Sequence, residues 1–238
     1  MAIHFTKEEF TERKSKTIQE LKKQGLDALL IFRQESMYWL TGYDTMGFVF
    51  FQCLILTTKG DVVLLTRAPD LRQAQNTSII DDIRIWIDKD KSNPTNELKN
   101  ILLELGLEKS NLGVEYEAYG LTGRNAIKLN NSLKNFATLH DKSELISYFR
   151  TVKSPAEIVY VKKAAELADK ALDEVWKIAK PGVSEAKILA EMQKVVFEGG
   201  GDYPANEYIV GSGHNALLCR YQSEKRILSN PDQLTIEW

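Results

Sequence analysis

The chain has 238 residues, of which 43% are hydrophobic and 27% are charged, and its formal net charge is −2. This composition is typical of a folded globular protein and leaves room for two domains. Acidic and basic residues are interspersed, so the chain lacks the basic stripe that nucleic acid requires. No stretch approaches the roughly 18 apolar residues of a membrane span, and the first segment lacks the apolar core of a signal peptide. We therefore expect a cytoplasmic protein with no nucleic-acid partner and no membrane partner.

The first 140 residues alternate between helical and strand-like segments. A charged segment with apolar residues on one stripe ends at Gly25, which predicts a surface helix. The runs "DALLIF", "FVFFQCLILTT" and "DVVLLT" predict strands, with a tight hairpin at residues 59–61. Further strands are predicted at "IRIWI", "NLGVEY" and "FATLH", and helices at "ELKNILLELGL" and "AYGLTGRNAIKLNNSL". This alternation predicts an α/β unit that closes near residue 140.

A helical pattern follows a predicted connector at "HDKSELISYFRTVKS". Ser154, Pro155 and Glu157 stand in the order of a capping box, so a long helix should begin there and end at Pro181-Gly182. A second helix is predicted after Ser184 and should end at "EGGGDYP". The apolar stripe of the first helix comprises Ile158, Val161, Ala165, Ala168, Leu172, Val175 and Ala179. The second helix should turn Ile188, Met192 and Val195 inward.

The cysteines and histidines show no metal-ligand spacing. Cys53 and Cys219 each lie in an apolar run, which favours packing as small hydrophobic side chains over a disulfide or a metal site. His4, His140 and His214 are scattered along the chain.

Residues 211–216, "GSGHNA", fit the dinucleotide-binding pattern G-x-G-x-x-A. "EYIV" supplies a strand before it, and Glu237 supplies an acidic residue at a suitable distance after it. Against this interpretation, roughly 200 residues precede a pattern that usually opens its fold, and too little chain follows to complete one. The motif alone therefore decides nothing. The helix required after it would carry Leu217, Leu218, Tyr221 and Leu228 on one stripe.

The order of the segments resembles the creatinase and prolidase family. The matching segments are "ESMYWLTGYDTMGFVFFQCLIL", "LISYFRTVKSPAEIVYVKKAAELADKAL", "KPGVSEAKILAEM", "IVGSGHNALLCRY" and "NPDQLTIEW". The resemblance implies an α/β N-terminal creatinase-like domain, with a mixed sheet and flanking helices, over residues 1–145. It implies the first part of an α+β pita-bread domain over residues 146–238. It also implies that "VGSGHNALLCRY" is a strand-rich element at the active-site wall.

Two positions depart from the metallopeptidase members of this family. Those members have a histidine where this chain has Arg220, and an aspartate metal ligand where it has Glu237. Their remaining metal ligands lie beyond Trp238. We therefore expect no cofactor in this chain, and a divalent metal, Mn or Zn, only if the protein is a metal-dependent Xaa-Pro dipeptidase or aminopeptidase. Since the chain ends within a partly built sheet, we also expect a C-terminally truncated fragment that is inactive alone.

The combination of "ESMYWLTGYDT", "VFFQCL", "GSGHNALLCRY" and "LTIEW" is most similar to the ectoine hydrolase branch, which uses no metal. This resemblance implies hydrolysis of a C–N bond in a small metabolite, by opening of a cyclic amidine ring. Glu237 is the candidate amidinium partner or base, Arg220 the candidate carboxylate ligand, and His214 a candidate acid–base group. The alternatives are an ion pair between Arg220 and Glu237, and a solvated His214.

Members of this kind are commonly homodimers in which one N-terminal domain contributes residues to the site of the other subunit. The resemblance implies that "TGYDTMGF" is this segment, with Tyr43, Asp44 and Phe48 lining the pocket for a small substrate, either a cyclic amidine or an Xaa-Pro dipeptide. A hairpin turn whose aromatic residues cover a local core is the alternative. A dimer would also protect "FVFFQCL", which we expect to form an exposed sheet edge. A non-catalytic interaction module is the hypothesis from another functional class.

Overall fold

A computed structural model describes residues 3–204, 207–218 and 225–238 of the chain. The chain divides into two compact units, Met1–Val152 and Lys153–Trp238. Each unit has hydrophobic clusters of its own. None of the helices in the described ranges combines the length and the apolar character that crossing a bilayer requires.

The first unit is built on a six-stranded mixed sheet. Its strands are β1 (Ala28–Ile31), β2 (Cys53–Thr57), β3 (Val62–Arg67), β4 (Asp82–Trp86), β5 (Asn111–Val114) and β6 (Thr138–Asp141). Their order across the sheet is β4-β3-β2-β1-β5-β6. β1, β2 and β3 pair antiparallel, whereas β4, β5 and β6 join in parallel pairs. The expectation that "FVFFQCL" forms an exposed edge is wrong, because β2 is paired on both sides.

The strand predicted from Phe48 onward begins later than expected. Gly47–Val49 forms a 3-10 turn, and strand β2 starts only at Cys53. The hairpin predicted at residues 59–61 is confirmed by the antiparallel pairing of β2 with β3. Gly60 has a φ of 102°, a conformation that side chains other than that of glycine rarely adopt.

Helices cover both faces of this sheet. They are α1 (Lys7–Lys23), α2 (Gln34–Thr41), α3 (Leu71–Thr77), α4 (Pro94–Glu104), α5 (Gly123–Leu133) and α6 (Leu145–Thr151). On one face Leu30 and Ile55 pack with α4 and α5, and on the other Leu29 and Leu54 pack with α1, α2 and α6. Because both faces are covered, β1 and β2 are buried at every position, which explains their unbroken apolar runs. The prediction of a mixed sheet with flanking helices is confirmed.

A buried carboxylate fixes the start of α2. Glu115, which follows β5, accepts hydrogen bonds at Oε2 from the backbone N–H groups of Phe32, at 3.2 Å, and Arg33, at 3.0 Å. Its Oε1 accepts a hydrogen bond of 2.7 Å from the hydroxyl of Ser36. Burial raises the pKa of Glu115 to about 7, although the three donors favour the carboxylate. The carboxylate thus caps a helix whose own N-cap residue makes no side-chain cap bond.

In the part that the structure describes, the second unit contains two α-helices and a two-stranded ribbon. Its elements are α7 (Pro155–Ile178), α8 (Glu185–Glu198), β7 (Ile209–Ser212) and β8 (Leu234–Glu237). The predicted capping box is confirmed: Ser154 Oγ accepts from Glu157 N–H at 3.2 Å, and the Glu157 carboxylate accepts from Ser154 N–H at 2.8 Å. The predicted inward residues of α8 are confirmed for Ile188 and Met192, which are fully buried.

The apolar stripe of α7 is only partly buried. Ala171 and Val175 are the buried residues of this helix. Ile158 and Val161, from the predicted stripe, are 39% and 50% exposed. The periodicity therefore predicted the helix correctly, but it did not predict which part of the helix packs into a core.

Candidate functional site

The register of the ribbon separates an inner from an outer face. In the antiparallel pair of β7 and β8, Ile209 lies opposite Glu237 and Gly211 lies opposite Thr235. Val210 and Ile236, one position along, pack into the core with α7 and α8. Because side chains alternate along a strand, Gly211, Thr235 and Glu237 lie on the opposite side, which we call the outer face.

A 3-10 turn, Gly213–Leu217, follows β7 and carries His214. A Cβ atom on Gly211 would lie 2.5 Å from the carbonyl oxygen of Asn215, so the turn folds closely over the outer face at that level. His214 is exposed. The lack of a side chain at residue 211 therefore allows the turn to approach the ribbon.

The geometry after β7 contradicts a dinucleotide-binding loop. Such a loop leads directly into an α-helix whose N-terminus faces the pyrophosphate. Here the turn ends at Leu217 and Leu218 is extended, while Tyr221 lies outside the described residues. Moreover, β8, which carries Glu237, pairs antiparallel with β7, whereas the dinucleotide fold places its next strand parallel.

Glu237 lies on the outer face of the ribbon, whereas His214 lies in the turn that follows β7. Glu237 is two residues along the ribbon from the level of Gly211, which corresponds to about 7 Å. Both side chains are exposed, and neither makes a side-chain hydrogen bond or ion pair with a residue in the described ranges. The structure therefore places both side chains at the surface of the second unit, on different elements. Arg220 lies outside the described residues.

The three candidate residues of the first unit differ in their surroundings. Tyr43 is completely buried, its hydroxyl donates a hydrogen bond of 3.0 Å to Gln52, and burial raises the pKa of this phenol. Asp44 is exposed. Phe48 is half-buried and makes an edge-on contact with Tyr119, with 5.8 Å between the ring centroids. Tyr43 thus belongs to the core of this unit, whereas Asp44 and part of Phe48 reach its surface.

The described residues do not form a metal centre. Within ranges 3–204, 207–218 and 225–238, no group of three or more His, Cys, Asp or Glu side chains is placed to hold a metal ion. A two-metal site requires several carboxylates converging on ions about 3.5–4 Å apart. Glu237 alone does not supply such a set of ligands, so this part of the chain does not fit a divalent metal.

A buried carboxylate that sequence analysis did not identify lies behind the ribbon. Glu185, the first residue of α8, is 1% exposed. Its Oε1 accepts hydrogen bonds from the backbone N–H of Ser212, at 2.6 Å, and from the hydroxyl of Ser212, at 2.7 Å. Its Oε2 accepts from the backbone N–H of Arg226 at 2.9 Å. The only sequence signal is an acidic residue directly after the N-cap Ser184, in a segment that also predicts a simple helix joint.

The guanidinium of Arg226 completes this cluster. Its Nη1 donates a hydrogen bond of 2.8 Å to the Ser212 hydroxyl and lies 3.5 Å from a carboxylate oxygen of Asp232. The backbone N–H and hydroxyl of Ser229 donate to Asp232 and lower its pKa to about 2. Gly213 has a φ of 54°, and a Cβ atom there would overlap Nη1 of Arg226. The Arg226 side chain therefore packs tightly against the backbone of Gly213, the residue before His214.

Two family matches follow one another along the sequence. Residues 13–152 match the Creatinase/Prolidase N-terminal domain, and residues 160–238 match Metallopeptidase family M24. The first match alone covers more than half of the chain. The chain belongs to the creatinase/prolidase family. The resemblance inferred from the order of the motifs is thereby confirmed.

Several members of the creatinase/prolidase family are similar to most of this chain. The ectoine hydrolase of Halomonas elongata is 28% identical over 232 residues, covering 91% of this chain and 58% of the relative. The Xaa-Pro dipeptidase of Pyrococcus horikoshii is 26% identical over 227 residues, covering 91% and 56%. The chain thus spans a little under three fifths of the length of these relatives.

The solved structure of a prolidase from Thermococcus sibiricus has a TM-score of 0.79 at 22% identity, covering 95% of this chain and 60% of that one. This similarity concerns the fold. Together with the family matches, it confirms a creatinase-like N-terminal domain followed by part of a pita-bread domain.

Proposed function

We propose that this chain functions in a hydrolase of C–N bonds in small metabolites, of the ectoine hydrolase or creatinase type. The observation that carries this proposal is the similarity to an ectoine hydrolase, which extends over 232 residues at 28% identity. In the proposed reaction, water adds to the carbon of a cyclic amidine and one ring C–N bond breaks. The ring opens to an amide and an amine.

We assign the roles of acid and base to two side chains: Glu237 on the outer face of the ribbon and His214 in the turn that follows β7. Glu237 would pair with the amidinium or take a proton from the attacking water, and His214 would deliver a proton to the departing nitrogen. Their exposure supports these roles, because both groups are open to a substrate from solution. Arg220 would bind the substrate carboxylate with its two parallel N–H groups.

We further propose that the protein acts as a homodimer. Support comes from an exposed cluster on the first unit, which we call the aromatic surface: Met46, Phe48, Val49, Phe50 and Tyr119. Met46 and Tyr119 are 77% and 78% exposed. A Cβ atom on Gly120 would overlap the carbonyl oxygen of Phe50, so the two segments form one continuous surface. Exposed apolar patches of this kind mark interaction sites, and a second copy of the chain is the partner we propose.

In this dimer, Asp44 and Phe48 are the residues that we propose to reach the site of the partner subunit. Asp44 is exposed beside the aromatic surface, and Phe48 is part of it. Tyr43 would act indirectly, by holding the segment in the core through its hydrogen bond to Gln52.

The proposed function is tested by incubating the whole product of the natural gene with ectoine and, separately, with an Xaa-Pro dipeptide. Proton NMR distinguishes the ring-opened amide from ectoine, and free proline from the dipeptide. We expect ring opening of ectoine. Cleavage of the dipeptide alone would contradict the proposal, and turnover of neither substrate would favour a non-catalytic interaction module.

A further inference from the structure

Glu185 connects two points of the second unit that are far apart in the sequence. Its carboxylate accepts from Ser212, 27 positions later, and from Arg226, 41 positions later. Ser212 directly precedes the turn Gly213–Leu217, which carries His214, and Arg226 follows 14 positions after Ser212; we call Ser212 and Arg226 the two ends. One buried side chain therefore holds both the residue that leads into the turn and a residue much later in the chain.

Backbone contacts bind the two ends to different neighbours. The N–H of Glu185 donates to the carbonyl of Arg226 at 2.9 Å, and Ser184 forms a bridge with Ile227. At the other end, Gly213 N–H donates to the carbonyl of Gln233 at 2.9 Å, next to β8. The backbone at the start of α8 is thus bound to Arg226 and Ile227, while the Glu185 carboxylate also reaches Ser212.

The two ends also contact each other directly. The Ser212 hydroxyl donates to Glu185 and accepts from Arg226 Nη1, so Glu185, Ser212 and Arg226 form a closed ring of hydrogen bonds. Buried networks of this kind are rigid when every member is satisfied. The absence of a side chain at Gly213 is required for this ring, because a Cβ atom would occupy the position of the guanidinium.

We propose that Glu185 is a positioning residue that holds Ser212 and Arg226 together and thereby places the turn Gly213–Leu217 with His214. This inference rests on the proposed function for the role of His214. The contacts of Glu185 with Ser212 and Arg226 do not depend on that proposal. Glu185 is buried and does not itself touch the outer face, so it acts through Ser212 and Arg226.

The chemistry requires a carboxylate of this length. One oxygen accepts hydrogen bonds from the N–H and O–H of Ser212, and the other accepts one from the N–H of Arg226. Both Ser212 and Arg226 therefore need an acceptor. Glutamine has the same shape but only one acceptor oxygen, and its NH2 group would face a backbone N–H at one end. Glu185→Gln therefore releases one of the two ends without changing the size of the side chain.

The test is amide hydrogen exchange at residues 212 and 226, measured by NMR in the whole protein. In Glu185→Gln, we expect about ten- to hundredfold faster exchange at one or both of these amides, with unchanged rates in β1 of the first unit. The matched control is Glu157→Gln, which changes the capping glutamate of α7 and should leave both amides at wild-type rates. Wild-type rates in Glu185→Gln would overturn the proposal.

A second variant keeps the test decisive if Glu185→Gln folds poorly. Ser212→Ala retains the backbone N–H bond to Glu185 but removes the hydroxyl that joins it to Arg226. We expect about three- to tenfold faster exchange at residues 212 and 226 in this variant. Unchanged rates at both amides would overturn the proposed ring.

Kinetics separate the positioning role from the proposed function. For ectoine ring opening, we expect Glu185→Gln to lower kcat at least about tenfold with a smaller change in KM, because a misplaced acid–base group acts on the transition state. Loss of folded protein would lower kcat only by the unfolded fraction, which the exchange rates report. Faster exchange with wild-type kcat would overturn the positioning role.

An inactive wild-type protein would instead overturn the proposed function. The exchange rates would still decide whether Glu185 holds Ser212 and Arg226.

Discussion

Ser36 and Glu115 lie 79 positions apart in the sequence, yet the Ser36 hydroxyl donates a hydrogen bond of 2.7 Å to the buried Glu115 carboxylate. The same carboxylate accepts the backbone N–H groups of Phe32 and Arg33. A residue that follows β5 therefore holds the start of α2 in place. Because α2 leads directly into the segment with Asp44 and Phe48, this contact supports the surface on which we propose that the dimer forms.

Glu115→Ala should strongly destabilise the first unit. Three buried donors lose their acceptor, and we expect the free energy of unfolding to fall by about 3 kcal/mol, as measured by urea denaturation. The control is Glu144→Ala, whose side chain is 75% exposed and lies 3.9 Å from Arg33. The control should change the stability by less than about 1 kcal/mol. Equal effects of the two substitutions would contradict the capping role of Glu115.

The pH dependence of stability should report the ionisation of Glu115. Its pKa is raised from 4.5 to about 7 in the folded protein, so the folded state binds this proton more tightly than the unfolded state. The stabilisation is complete below pH 4.5 and is lost as the pH rises through about 7, by roughly 3 kcal/mol. Glu115→Gln lacks this titration. The wild type should therefore lose stability relative to this variant between pH 5 and pH 8 in urea denaturation, and a constant difference would contradict the raised pKa.

Three glycines of the second unit should respond differently to alanine. Gly200 has a φ of 79° and open space around it, so Gly200→Ala should cost only the backbone strain, about 1 kcal/mol. In Gly211→Ala the new methyl group would lie 2.5 Å from the backbone oxygen of Asn215, and we expect about 2–3 kcal/mol. Gly213→Ala combines positive φ with displacement of Arg226 and should cost more than Gly200→Ala. Urea denaturation measures all three, and a larger loss in Gly200→Ala than in Gly211→Ala would be inconsistent with the close approach of the turn.

Glu237→Gln should abolish most of the proposed activity without affecting the fold. The substitution keeps the shape of the side chain but removes the charge and the base, so we expect kcat for ectoine opening to fall by about 10²- to 10⁴-fold. The residue is exposed, and stability should remain within about 0.5 kcal/mol of the wild type. Glu198→Gln, another exposed glutamate in the same unit, is the control and should retain full activity. Full activity of Glu237→Gln would remove this residue from the site.

The aromatic surface should control self-association. Tyr119→Lys places a charge in an apolar patch, so we expect it to convert a dimer to a monomer in sedimentation equilibrium. Tyr148→Lys changes a tyrosine of α6 that is exposed to a similar extent, 74% against 78%, and should leave the dimer intact. A wild-type monomer, or equal effects of the two substitutions, would contradict the proposed interface.

Local patterns predicted the elements whose causes are local. The capping box at Ser154 and Glu157 and the hairpin at residues 59–61 both depend on neighbours in the sequence. The apolar runs of β1 and β2 also predicted their strands, because burial on both faces of the sheet makes nearly every position apolar. Helices α2 and α3 were not predicted. The start of α2 depends on Glu115, which follows the remote strand β5, and no pattern within Gln34–Thr41 indicates this contact.

The candidate site was predicted less completely for the same reason. His214 and Glu237 were chosen by residue type and motif, but the position of Glu237 opposite Ile209 follows from the ribbon register, which no local pattern specifies. Glu185 was missed because its partners are Ser212 and Arg226, and only the folded chain brings these three residues together. Tyr43 was chosen with Asp44 and Phe48 as one segment, although Tyr43 lies in the core whereas Asp44 and part of Phe48 lie at the surface.

The side chains of this family member are proposed to hydrolyse a cyclic amidine. This proposal is tested by the rate of ectoine ring opening by the whole product of the natural gene, with a chelator and with added manganese, alongside the same assays on an Xaa-Pro dipeptide. We expect ring opening of ectoine that persists in the chelator. Manganese-dependent cleavage of the dipeptide without ring opening of ectoine would contradict it.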